Sequence, residues 1–141
     1  MAEGLKIEIV SPERLVLSEV VHSVTVPGTE GYFTVMNDHA PFMTTLRPGF
    51  ITVTKDGGAA DVYFVKGGFA DVSPAGLTIL AEQSVPFADF DHDDLQTQIK
   101  AAEEELARAE SPEDKSYAQE VVSGLLNLTI EAQQINGAHI H

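Results

Sequence analysis

The chain has 141 residues, 43% of them hydrophobic and seven of them Phe, enough for one domain with an appendage and too few for a large multidomain enzyme. Eight Lys plus Arg stand against 22 Asp plus Glu, a formal charge of -14, so the surface repels phosphate backbones and anionic headgroups, and nucleic acid is not an expected partner. Cysteine is absent, which excludes disulfides, thiolate metal sites and thiol nucleophiles.

The stretch Met1–Val10 carries Glu3, Lys6 and Glu8 and lacks the basic start and apolar run of a secretory signal. No apolar stretch approaches the roughly 18 residues of a membrane-spanning helix. From Leu5 to Val85 short β-rich runs alternate with Pro, Gly, Asn and Asp, the pattern of a sandwich or barrel. The expected strands are Leu5–Val10, Arg14–Ser18, Val20–Val26, Tyr32–Val35, Thr44–Leu46, Phe50–Thr54, Ala60–Val65, Ala70–Val72 and Leu77–Ala81. Asp61-Val62-Tyr63-Phe64-Val65 reads as an inner strand, Lys6-Ile7-Glu8-Ile9 as a half-exposed one, and Lys55-Asp56-Gly57-Gly58 as a hairpin turn.

After Pro86 the period changes. Leu95, Ile99, Ala102, Leu106 and Ala109 form one apolar stripe at helical spacing, with Asp91 placed as N-cap. Ser111-Pro112-Glu113-Asp114 restarts the chain as cap, first helical residue and acids. The second helix is expected to bury Tyr117, Val121, Leu125, Leu128, Ala132 and Ile135 and to stop at Gly137. So short a connection makes the two helices an antiparallel hairpin. The expected domains are therefore a β-sandwich over 1–86, a helical hairpin over 87–136 and a flexible tail over 137–141. Residues 89–141 hold twelve acids and three bases, so the hairpin is the more acidic part.

No catalytic constellation emerges. Asp38-His39 with Ser11, Ser73 or Ser84 could be imagined as a triad, but no Ser lies in a Gly-x-Ser-x-Gly elbow, and His39 is expected to shape a surface loop. Lys66-Gly67-Gly68-Phe69 lacks the Lys-Ser or Lys-Thr of a phosphate-cradling loop. His139 and His141 lie past the expected helix stop and would be adventitious metal ligands at most. Asp89, Asp91, Asp93 and Asp94 lack the glycine and terminal Glu of a calcium loop and read as helix-capping acids. No catalytic residue, nucleotide site, metal or cofactor is expected.

Pro27-Gly28-Thr29-Glu30-Gly31, Asp38-His39-Ala40-Pro41, Leu46-Arg47-Pro48-Gly49, Gly67-Gly68-Phe69 and Thr78-Ile79-Leu80-Ala81-Glu82 resemble, in order, the motifs of the ATP synthase epsilon family. Each is weak alone, because Pro and Gly mark turns in any β protein. Five in order ahead of a two-helix hairpin are specific. The resemblance implies a sandwich of roughly ten strands followed by a helical hairpin, and a non-catalytic stalk subunit that joins gamma to the c-ring beneath the alpha and beta catalytic subunits. It would couple proton translocation to ATP synthesis. The lack of a presequence adds the expectation of a bacterial inner membrane, with peripheral attachment on the cytoplasmic side through the complex alone.

Carried across by position, the ring-facing end corresponds to Ser11, Glu30, Gly31, Tyr32, His39, Ala40 and Pro41. Tyr32 departs from the family, which often places an acid there. The gamma-facing surface corresponds to Val16, Leu17, Phe42, Met43 and Phe50, for each of which ordinary core is the competing reading. Two rival functions remain at this point: a small acidic β-sandwich hydrolase using His39 with a carboxylate, and a free nucleotide sensor working through the hairpin. In nucleotide-binding relatives the first helix opens on Ile or Leu, Asp, two variable residues and Arg-Ala. Here that Arg falls on Asp94.

Overall fold

The computed structural model describes residues 4–140, with side chains through Gly137. Eight strands come first: β1 Leu5–Ser11, β2 Arg14–Val21, β3 Ser23–Gly28, β4 Gly31–Met36, β5 Phe42–Thr45, β6 Gly49–Thr54, β7 Ala60–Ser73 and β8 Gly76–Pro86. A short 3-10 turn, Phe87–Asp89, precedes helices α1 His92–Arg108 and α2 Pro112–Ile140. The hydrogen-bonded order is β2-β1-β8-β7-β6-β3-β4, with β5 also on β7. All neighbours are antiparallel except β1 and β8.

The expected runs 60–65 and 70–72 are one strand. β7 pairs with β6 along its first half and with β5 along its second, while β8 follows it throughout. One continuous ladder therefore bends into two layers, β2-β1-β8-β7-β5 and β8-β7-β6-β3-β4. Counted by layer, β7 and β8 each serve twice, which gives ten strand segments from eight strands. The bend lies at Gly67 (φ 64) and Gly68 (φ 108), where the ladder with β8 skips Gly67 but keeps its register from Lys66↔Gln83 to Gly68↔Ala81.

Alternation then decides what is inside. Ile7 and Ile9 of β1, Val24 and Val26 of β3, Ile51 and Val53 of β6, and Leu77 and Ile79 of β8 are almost fully buried in one core cluster. Because both layers supply it, their inner faces meet. At the edge, the Lys55 ammonium lies 3.3 Å from Glu19 of β2 and 3.1 Å from Asp61 of β7. Hydrogen bonds to Asp61 and Glu19 hold it above its ordinary 10.5. This exposed pair ties one layer to the other and adds little stability.

Both helix starts match expectation. The Asp91 carboxylate accepts from the Asp94 amide at 2.8 Å, and the Ser111 hydroxyl accepts from the Asp114 amide at 3.0 Å. α1 buries Leu95, Ile99 and Ala102. α2 differs from expectation, since it buries Ala118 and Val122 while Tyr117 stays 71% exposed and Val121 37%. Both pairs have the same four-residue spacing, so periodicity could not choose between adjacent faces. The smaller Ala118 is the one accepted against α1, as close helix packing favours. The helix also continues through Gly137 to Ile140 instead of stopping there.

The chain divides into two compact units, Met1–Phe90 and Asp91–His141, so the boundary falls after Phe90 and not at Pro86. The reason is aromatic. The rings of Phe87 and Phe90 stand 5.7 and 5.3 Å from that of Phe50, and Phe90 lies 4.9 Å from Phe64. Phe50 and Phe64 are opposite each other on β6 and β7, on the outer face of their layer. A second, smaller core thus forms there, and its rings belong partly to the segment after β8.

Candidate functional site

The side chains singled out from sequence fall into three structural groups. Ser11 ends β1, and Glu30 with Gly31 makes the tight β3–β4 turn, where Thr29 donates to the Thr45 carbonyl at 3.1 Å. These residues share the end of the sandwich at which β7 and β8 bend. His39, Ala40 and Pro41 lie at the other end. There His39 and Pro41 line a shallow cleft with Leu5 and Lys6, at the start of β1, and with Ser73–Gly76, the β7–β8 turn. The length of a seven-residue strand, about 20 Å, separates Leu5 from Ser11. The expected ring-facing residues therefore do not share one end.

Tyr32 is committed to the outer face of its layer. Its hydroxyl accepts from the Phe50 amide at 3.1 Å, its ring lies under the Arg47 guanidinium at 4.7 Å, and an edge remains exposed. β3 pairs with β6 only from Ser23 to Thr25, so the phenol satisfies an amide that the ladder leaves behind. Where the family often has an acid, this chain has a hydrogen-bonded prop.

The expected gamma-facing residues also divide. Phe42 and Met43 are 47% and 66% exposed, with the Phe42 ring edge-on to Phe33 at 5.5 Å. Val16 and Leu17 lean on the main core. Phe50 is only 2% exposed, so its place on an outer surface is corrected: Phe64, Phe87 and Phe90 cover it. Burial of such a side chain contributes about 1.5–3 kcal/mol to folding.

A surface that the motifs did not indicate is more continuous. On the outer face of the other layer, cross-strand register places Thr45, Phe69, Leu80, Val10 and Leu15 in a single row over five strands. Phe69, Leu80 and Leu15 are 52%, 49% and 56% exposed. The adjoining row is Met43, Asp71, Thr78, Glu8 and Ser18, so carboxylates border the apolar residues on one side. An apolar row of this length facing water marks an interaction surface more often than it marks chance. The sequence signal was present but masked: in Leu77-Thr78-Ile79-Leu80-Ala81 the run is nearly all apolar, and only the register shows that Ile79 points in and Leu80 out.

His39 does not assemble a triad. Its Nδ1 lies 2.8 Å from the Ala40 carbonyl. The Ser73 hydroxyl, in the same cleft, accepts from the Ala75 amide at 3.2 Å, and no hydrogen bond joins the two residues. Ser84 is buried in the sandwich, and Ser11 is at the far end. The imagined metal pair cannot be placed, because the His139 side chain and His141 lie outside the described residues. Among the described residues no cluster of three His, Cys, Asp or Glu is spaced to hold a metal ion, and no helix is long and apolar enough to cross a membrane.

The family model for the ATP synthase delta/epsilon chain, beta-sandwich domain, matches residues 4–87. An ATP synthase epsilon chain of Mesorhizobium japonicum is 49% identical over 128 residues, 91% of this chain and 95% of that one. One from Rhizobium etli is 47% identical over 134 residues, 95% of this chain and 99% of the relative. Among solved structures, the Euglena gracilis mitochondrial ATP synthase OSCP/F1/c-ring assembly contains a chain similar in fold at TM-score 0.71 and 22% identity, covering 100% of this chain and 84% of that chain. The Tetrahymena thermophila mitochondrial ATP synthase central stalk/c-ring assembly contains another at TM-score 0.63 and 13% identity, with 92% of this chain and 96% of that chain covered.

Proposed function

The chain belongs to the ATP synthase delta/epsilon family, and from that premise we propose that it works as the epsilon chain of a bacterial rotary F-type ATP synthase, a stalk subunit without catalytic chemistry of its own. The observation that carries this reading is the near-half identity to a bacterial epsilon chain along nearly the full length of both. In this role it links gamma to the c-ring beneath the alpha and beta subunits, and attaches to the cytoplasmic face of the inner membrane through those partners.

The row Leu15–Val10–Leu80–Phe69, with Met43 beside it, is the surface we assign to gamma, because a stable interface needs an apolar centre with a polar rim. Phe42, paired with the core residue Val72 and packed on Phe33, has the opposite face of β5 and is left out of the row. We assign the c-ring to the opposite kind of surface, the polar turns at one end: Ser11, Glu30 and Gly31, with the exposed edge of Tyr32. His39, Ala40 and Pro41, a strand's length away, are left out of that contact. Isolating a tagged full-length chain from its own cells should bring alpha, beta, gamma and c subunits with it. Recovery of a folded chain with none of them would sink the assignment.

The nucleotide-sensor reading is disfavoured by charge. Asp94 stands where binding relatives carry Arg, and it accepts from the Gln98 side chain at 2.6 Å within the first turn of α1. An anion there repels phosphate, and α2 carries no Lys or Arg after Lys115. Calorimetric titration with MgATP is expected to show no binding in the micromolar range. Micromolar affinity would overturn the charge argument, and a gain of binding in Asp94→Arg would support it.

A further inference from the structure

We propose that the open edge of β8 beyond Leu80 is a slot for one extended segment of gamma, which adds to the sheet there as a short strand centred on Ser84. β1 runs beside β8 only from Ile7 to Val10, opposite Leu77 to Leu80. Ser11 then turns back to pair with Arg14 of β2, while β8 goes on to Pro86 with β7 as its sole strand partner among the described residues. The slot left by that divergence has Ser11, Glu13 and Arg14 on one wall and Glu82–Val85 on the other.

Backbone direction in the slot follows from one hydrogen bond. The Phe50 amide donates to the Tyr32 hydroxyl, so it faces the β3 side and not β7. In an antiparallel ladder each residue presents its N–H and C=O to the same side, and successive residues alternate sides. Phe64, opposite Phe50, therefore turns its polar groups to Val85 of β8. Ser84, one residue earlier, turns its N–H and C=O the other way, into the slot. Pro86 fits the same alternation, because its missing N–H falls on the outward side, where an edge strand tolerates proline. Ser84 is only 5% exposed, and its hydroxyl has no hydrogen-bond partner among the described residues. Buried polar groups are as a rule paired, so one nearly buried residue that lines a cleft and keeps its backbone pair and hydroxyl unused points to a ligand.

An extended backbone supplies what Ser84 lacks, a carbonyl for its amide and an amide for its carbonyl, as strand addition to a sheet edge does. A short polar side chain of the same segment would meet the hydroxyl. The occupant is gamma because the slot continues the row assigned to it: Leu80 stands two residues before Glu82, and Val10 and Leu15 adjoin Ser11 and Arg14. The walls carry two carboxylates and one guanidinium, which favours a Lys or Arg on the incoming segment. The proposal rests on the stalk reading and on gamma as the partner of that row.

Hydrogen exchange of the full-length chain, alone and with purified gamma, reads this edge directly. In the free chain the Ser84 amide is expected to exchange at least about tenfold faster than the paired amide of Val85, and gamma should slow it to the Val85 level. Ser84→Ala separates binding from folding. Loss of an unpaired buried hydroxyl should leave the melting temperature unchanged or higher, while affinity for gamma falls about fivefold. A folded chain that binds no gamma would refute the stalk reading itself. Binding with no slowing at Ser84, or with full affinity in Ser84→Ala, overturns the slot and leaves the apolar row standing. Slowing that needs the c-ring as well overturns gamma as the occupant.

Discussion

Gly68→Ala is expected to abolish folding of the sandwich or to lower its stability by more than about 3 kcal/mol, the sum of a backbone forced from its native region and a steric clash that cannot relax. Gly68 has φ 108, and a Cβ built on it would stand 1.9 Å from the Leu80 carbonyl oxygen and 2.9 Å from the Ala81 Cα. Both are backbone atoms of the neighbouring strand, so neither can swing away as a side-chain tip would. The Gly68 carbonyl also accepts from the Leu46 amide at 2.9 Å, and through it the segment after β5 is fastened to β7. A shift that relieved the clash would therefore loosen the bend where both layers meet. Against a total of about 5–15 kcal/mol for a typical domain, such a loss is severe. Chemical denaturation followed by far-ultraviolet circular dichroism measures it. Gly124→Ala, whose Cβ would meet nothing within 4 Å in mid-helix, serves as the control and should hold or raise stability by up to about 1 kcal/mol. Near-equal stability of the two variants would mean that the bend tolerates a side chain.

Leu80→Glu should cost the stalk contact more than about 2 kcal/mol, roughly 30-fold in affinity, with little change in melting temperature. Leu80 sits at the centre of the exposed row between Phe69 and Val10, and its side chain is already half in water, so a carboxylate there meets no desolvation cost in the free protein. In the complex the same carboxylate would be buried without a partner, which is where the penalty arises. Met43→Ala, at the border, should have a smaller effect of the same kind. Phe50→Ala reverses the pattern: it should lower stability by about 3–5 kcal/mol because the ring fills the second core. Titrating the three variants into ATP synthase depleted of this subunit, beside thermal melts of each, separates contact from core. Full affinity in folded Leu80→Glu would remove the row from the interface.

These variants also mark the limit of what motifs can reveal. Pro27-Gly28-Thr29-Glu30-Gly31, Lys55-Asp56-Gly57-Gly58 and the caps Asp91 and Ser111 were legible because a turn or a cap depends on residues within four positions of each other. The five ordered motifs and the change of period after Pro86 likewise determined the family, the sandwich followed by two helices, and the acidic character of the hairpin. The tertiary structure decided the rest. That 60–65 and 70–72 are one strand depends on β8 holding a single register past the two positive-φ glycines Gly67 and Gly68, not on local propensity. That Phe50 is covered while Leu80 is bare depends on which rings arrive from Phe87 and Phe90, and on which face of a doubly apolar run the partner strands leave open. That Ser11 and His39 stand at different ends depends on strand direction. Local chemistry fixes elements because its forces reach only a few residues along the chain, whereas exposure and placement belong to pairs of residues far apart in sequence, which only the packed molecule brings together.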